Sequence, residues 1–164
     1  MPKKIIVCFD GTSNDPKDAK QKNNLKMEIK DSSISNIFKL HLLLGGGIAK
    51  GEENIPGQKS FYYSGVGTYG NKLLQWFNAG LALPNMDVSK IMTLATRDLA
   101  KDYEIGDEVF VFGFSRGAAI ARRFAAKINK DIKKFTDEDL NITIRFLGVF
   151  DTVASIGWPN LDDD

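Results

Sequence analysis

Short apolar runs alternate along this chain with longer stretches of helical periodicity. Lys4 to Phe9 (KIIVCF) is apolar without interruption after its first residue, which predicts a strand buried on both faces, as in a parallel sheet. Lys59–Ser64 (KSFYYS), Val109–Phe112 and Thr143–Phe150 (TIRFLGVF) predict three more strands. Between them, Ser32 or Ser33 is the expected cap of a helix through Leu44, with Ile34, Ile37, Phe38 and Leu40 or His41 at helical spacing and Gly45, Gly46 and Gly47 ending it. Asp87 is the expected cap of a second helix to about Tyr103, with Val88, Ile91, Met92, Ala95 and Leu99 as its inner face. The Ala/Arg-rich run from Ala118 predicts a third helix, followed by a charged connection over Lys127–Asp139. Leu73–Leu83, with Trp76 and Phe77, predicts a short helix over the site, broken by Pro84. Residues 15–31, rich in Lys, Asn and Asp, predict a mobile surface loop. Strands alternating with helices indicate βαβ units: a three-layer α/β domain over residues 1–164, with a mostly parallel sheet and helices on both faces.

Composition narrows the function classes. Hydrophobic content of 43% and charged content of 26% are those of an ordinary globular domain. A formal net charge of +1 argues against nucleic acid as a partner. One cysteine, Cys8, lies inside the first apolar run; it excludes an internal disulfide framework, argues against a metal cluster and reads as a small buried hydrophobe. No run reaches membrane-spanning length and the N-terminus carries no signal-peptide pattern, so the chain is expected in the cytoplasm as synthesised. No cofactor and no metal are called for.

The chemistry concentrates where the Val109–Phe112 strand ends. Gly113-Phe114-Ser115-Arg116-Gly117 is a G-x-S-x-G sequence between a strand and a helix, the context of a nucleophile elbow, in which a tight turn raises the Ser hydroxyl above the sheet edge. Gly113 and Gly117 suit such a turn because a side chain at either would meet the helix or strand folding back past it. The alternative is a βα turn in which Ser115 merely caps the helix. Ligands of open α/β sheets bind at the carboxyl ends of the strands, where Asp10, Gly11, Thr12 and Asp151 are also expected. Asp151 follows the strand after the nucleophile, the slot of the acid in the order Ser…Asp…His. The N–H of Arg116 and that of Gly11 or Thr12 are the candidate oxyanion donors. Asp10 is a candidate to anchor that loop through backbone N–H groups, and the Arg116 side chain either contacts a phosphate or pairs with an acid.

Two other chemistries fit poorly. A hydrophobic strand followed by Asp-Gly-Thr is similar to the opening of haloacid-dehalogenase-type phosphatases, but the nucleophile position holds Cys8 and the downstream acids of a metal clamp are missing. Gly65, Gly67 and Gly70 match G-x-G-x-x-G spacing without the capped helix and terminal acid of a dinucleotide site.

The blocks FDGTSND at 9–15, SNI at 35–37, YYSGVGT at 62–68, GDEVFVFGFSRGAAIAR at 106–122 and FLGVFDTVASIG at 146–157 together resemble the α/β-hydrolase-like family that includes the first group of type VI secretion phospholipase effectors. The resemblance implies an esterase or phospholipase acting on ester or phospholipid substrates, with Ser115 as nucleophile and Asp151 as triad acid. It also implies delivery by a secretion system. Histidine departs from the family pattern: the single one, His41, precedes the nucleophile, and 13 residues follow Asp151. The chain therefore reads as the N-terminal part of such a hydrolase, with its base in a missing C-terminal segment or a partner chain, and with self-association through uncovered apolar surface. The alternative is a non-catalytic binding or interaction module.

Overall fold

A computed structural model describes residues 2–11, 20–21, 29–30, 34–47, 55–65 and 88–152. Its centre is a four-stranded parallel sheet. The strands are β1 (Lys4–Phe9), β4 (Gln58–Tyr63), β5 (Glu108–Phe114) and β6 (Ile144–Phe150), in the order β4-β1-β5-β6. β2 (Lys20–Gln21) and β3 (Ile29–Lys30) form a separate antiparallel pair within the stretch expected to be a surface loop. The helices are α1 (Asn36–Leu43), α2 (Val88–Asp102) and α3 (Arg116–Asp131).

β1 and β5 are the inner strands, which is why KIIVCF contains no polar residue beyond Lys4: both faces are covered and Ile5 to Phe9 are all at most 3% exposed. One face carries Ile5, Val7, Phe9, Val109 and Val111 against α2 and α3; the other carries Ile6 and Cys8 against Ile37 and Phe38 of α1. The layers are thus helices, sheet and helix, the three-layer α/β arrangement expected. The Phe9 ring lies 5.3 Å from that of Phe124 and 5.5 Å from that of Tyr63. Each buried Phe is worth on the order of 2 kcal/mol in apolar area removed from water.

The two tyrosines ending β4 face opposite layers, as successive strand residues must. The Tyr63 hydroxyl donates to Asp98 of α2 at 3.1 Å, and that of Tyr62 donates to Asp10 at 2.6 Å. At the opposite end of the sheet, Asp107 accepts from the backbone N–H groups of Lys3 and Glu104 and from the Lys3 ammonium. Desolvation pushes its pKa up, but these donors outweigh it and hold the carboxyl below its ordinary value.

Three boundaries differ from the expectation. The cap of α1 is Ser35, not Ser32 or Ser33: its hydroxyl oxygen accepts from the Phe38 N–H at 3.0 Å while the same hydroxyl donates to Asp10, a tertiary partner that local sequence does not reveal. α3 continues through the expected connection to Asp131 and passes into a 3₁₀ turn at Ile132–Lys134. Ile128 and Ile132, at four-residue steps from Phe124, keep one face buried there, and that packing outweighs the exposed lysines. β4 starts and ends one residue before the KSFYYS run. The expected helix over Leu73–Leu83 and the expected cap Asp87 lie outside the described residues.

Candidate active site

β5 hands the chain to α3 through Ser115. Its φ of 53° and ψ of −119° put a non-glycine residue in a region that costs on the order of 1–3 kcal/mol and persists only when the surroundings enforce it. The surroundings here are backbone. The Ser115 N–H donates to the Phe150 carbonyl at 3.0 Å, and its carbonyl accepts from the Ala118 N–H at 3.1 Å. A Cβ on Gly113 would lie 2.5 Å from the Gly117 oxygen, and one on Gly117 would lie 2.3 Å from the Phe9 oxygen. Both glycines are therefore required by close backbone approach, and Gly117 fastens the start of α3 to the end of β1. The Ser115 side chain makes no capping bond to α3, so helix capping does not account for a serine at this position.

The end of β1 lies against the same turn. A Cβ on Gly11 would sit 3.1 Å from the Ser115 Cβ and 3.0 Å from the Phe114 ring. Asp10, fully buried, holds this segment in place: one carboxylate oxygen accepts from the Gly11 N–H at 2.6 Å, and the other accepts from the hydroxyls of Tyr62 and Ser35. The Gly11 N–H, a candidate oxyanion donor, is engaged here by the Asp10 carboxylate. Thr12, the other candidate in that loop, lies outside the described residues. Gly65 closes the arrangement: a Cβ there would meet the Gly11 oxygen at 2.3 Å, so this glycine serves a close approach between the ends of β1 and β4.

Asp151 follows Phe150 at the end of β6, is exposed, and has a positive φ of 45°. Because the Phe150 carbonyl binds the Ser115 N–H, Ser115 and Asp151 lie at the same end of the sheet, on neighbouring strands. Arg116 is the half-buried first residue of α3, directly after Ser115.

His41 lies elsewhere. Its Nδ1 is 2.8 Å from the Ser60 hydroxyl and its Nε2 is 3.2 Å from the Gly47 carbonyl, between the rings of Phe38 and Tyr62. Ser60 is level with Ile6 and hence with Phe110, on the outermost strand. Ser115 is five residues further along β5, roughly 17 Å in the strand direction at ~3.3 Å per residue. Burial pushes the imidazole down to about 4, against the hydrogen bond to Gly47. Gly46 packs on that ring, with a Cβ there falling 2.1 Å from Cε1. The glycine run after α1 is a helix terminator, with Gly45 at a φ of +88°. Among the described residues no group of three or more His, Cys, Asp or Glu is placed to hold a metal.

Sequence reasoning assigned no role to Ser35 or Tyr62, the partners of Asp10. The available signal was a carboxylate directly after a fully apolar strand, because a buried acid requires donors.

The family described as the type VI secretion system phospholipase effector Tle1-like catalytic domain matches residues 3–132, which include β1, Asp10 and the whole Ser115 turn. The chain belongs to this family. An uncharacterised protein of Saccharomyces cerevisiae is 24% identical over 204 aligned residues, covering 94% of this chain and 27% of that protein. The crystal structure of an uncharacterised protein from Pseudomonas aeruginosa superposes with a TM-score of 0.51 at 23% identity, covering 96% of this chain and 30% of that one. That likeness shows the fold alone. The chain spans less than a third of the length of either protein. No helix among the described residues is long and apolar enough to cross a membrane.

Proposed function

We propose that this chain carries the nucleophile of a serine hydrolase that cleaves carboxylic esters, phospholipid esters among them. The observation that carries the reading is the Ser115 turn: a strained serine between two glycines that tolerate no side chain, with a hydroxyl that does not cap the helix behind it. In this reading the turn is a nucleophile elbow, and Ser115 Oγ attacks the ester carbonyl while a base takes its proton and returns it to the leaving alcohol. Water then resolves the acyl-serine by the same route. The Arg116 N–H and that of Thr12 stabilise the oxyanion, and Asp10 fixes the loop that supplies the second donor. Asp151 orients the base and stabilises its charged form. The base is a histidine supplied from outside these 164 residues, since His41, a buried residue of α1, has both ring nitrogens engaged.

The engaged His41 also favours a second reading, a non-catalytic binding module. A triad site without its base retains on the order of a thousandfold catalysis over water, so the two readings differ in a measurable way. Hydrolysis of a p-nitrophenyl ester by this chain and by Ser115→Ala, across a series of free imidazole concentrations, tests them. The hydrolase reading expects a Ser115-dependent rate that rises with imidazole. Identical rates for the two proteins at every concentration favour the binding module.

A further inference from the structure

The two edges of the sheet differ. β4 carries Lys59, paired with Asp102 at 2.9 Å and 5.5 Å from the centre of the Phe61 ring; a charge on an edge strand discourages pairing. β6 is the other edge, and among the described residues no strand lies on its outer side. Beyond the irregularity at Val109/Phe110, its regular run Phe146–Phe150 (FLGVF) holds no charge and no proline. Phe146 and Phe150 are each 51% exposed, and Leu147 is 37% exposed. The run is close to palindromic about Gly148: aromatic, aliphatic, glycine, aliphatic, aromatic. Its backbone is in phase with that symmetry. The Ser115 N–H reaches the Phe150 carbonyl, so the backbone groups of Phe150, Gly148 and Phe146 face β5. Those of Leu147 and Val149 therefore face outward.

We propose that β6 pairs with β6 of a second copy of this chain, antiparallel about a two-fold axis at Gly148, joining the two sheets into one. In that register Leu147 of one copy and Val149 of the other exchange N–H···O=C bonds in both directions. Phe146 lies opposite Phe150 on the α1 side, in the closer, non-hydrogen-bonded kind of pair, and Leu147 lies opposite Val149 on the α3 side. A Cβ on Gly148 would meet the Phe112 ring at 2.7 Å, so this position stays bare and no side chain obstructs the axis. The contact is at the small end of specific interfaces and gives a reversible dimer with a Kd of about 1–100 μM. It makes no use of the Ser115 hydroxyl and does not rest on the hydrolase reading.

Sedimentation equilibrium of the whole chain from about 1 to about 200 μM tests the pairing. The expected result is a monomer–dimer equilibrium. Phe146→Lys and Phe150→Glu each raise the dimer Kd by at least about tenfold. Combined in one chain they restore the dimer, because each lysine then faces a glutamate of the other copy. Within one strand the two positions lie roughly 13 Å apart at ~3.3 Å per residue, too far to pair with each other. Thermal melts followed by circular dichroism separate lost pairing from lost folding, and recovery in the combined variant is not something a damaged fold produces. A chain monomeric throughout leaves the edge to a strand of a different protein and overturns the proposal. So does association that continues past the dimer, or a combined variant no tighter than the single ones.

Discussion

The backbone N–H of Ser115 donates to the carbonyl of Phe150 across 3.0 Å. That bond continues the β5–β6 ladder by one residue past β5, and it brings the strained serine and the acid after Phe150 to one end of the sheet. Strain at Ser115 is sustained because its neighbours are backbone atoms, which cannot rotate away.

Gly117→Ala tests that packing. A Cβ there meets the carbonyl oxygen of Phe9 at 2.3 Å, and relief requires moving β1 or α3. Urea denaturation should show a loss of about 3 kcal/mol or failure to fold. Gly57→Ala is the contrast: its φ is +74° but nothing lies within 4 Å, so only backbone strain remains, about 1 kcal/mol. Equal losses at the two positions would contradict the close-approach argument.

Asp10 and Tyr62 should be energetically coupled. Tyr62→Phe removes a hydroxyl bonded to a buried carboxylate at 2.6 Å and is expected to cost about 2 kcal/mol. Asp10→Asn is expected to cost more, because the amide nitrogen in place of the second carboxylate oxygen accepts from neither the Tyr62 nor the Ser35 hydroxyl. The double variant should be less destabilised than the sum of the two, by about 1 kcal/mol in a double-mutant cycle. Additive losses would show that the carboxylate does not act as a shared acceptor.

Stability should depend on pH through His41. Its folded pKa is lowered to about 4 from an ordinary 6.5, so between those values the unfolded chain binds the extra proton. Stability therefore rises with pH across the window and is lost as pH falls from about 6.5 to 4. The full effect is about 3 kcal/mol below pH 4. His41→Gln should lose that part of the acid sensitivity, read as the difference between the two stability curves. Parallel curves would refute the assignment.

Cys8 should be unreactive while the chain is folded. It is fully buried and its thiol is pushed up to about 12, chiefly by desolvation, so thiolate is scarce at neutral pH. Iodoacetamide at pH 8 should modify it only as fast as the protein unfolds, and labelling that outpaces unfolding would contradict its position in the sheet.

Much of the fold was legible because the strands are apolar runs and the helices carry one apolar face. Lys4–Phe9 shows this best: a strand covered on both sides has no polar residue to obscure it. The need for glycine at 113 and 117 was equally legible, since a Cβ at either meets backbone oxygen at 2.5 Å or less. The Asp10 network was not legible. It joins residues 10, 35 and 62 through side chains, and such long-range pairing leaves no periodicity. For the same reason the cap of α1 fell on Ser35 instead of the serines just before it. α3 exceeded its expected length because Ile128 and Ile132 continue a buried stripe among exposed lysines, a signal that charge density concealed.

The most direct test of the hydrolase reading is covalent labelling with a fluorophosphonate in the presence of imidazole, followed by mass mapping of the adduct. The account predicts a single adduct on Ser115 that is absent from Ser115→Ala. Equal labelling of the two proteins, or an adduct mapped to any other residue, would contradict it.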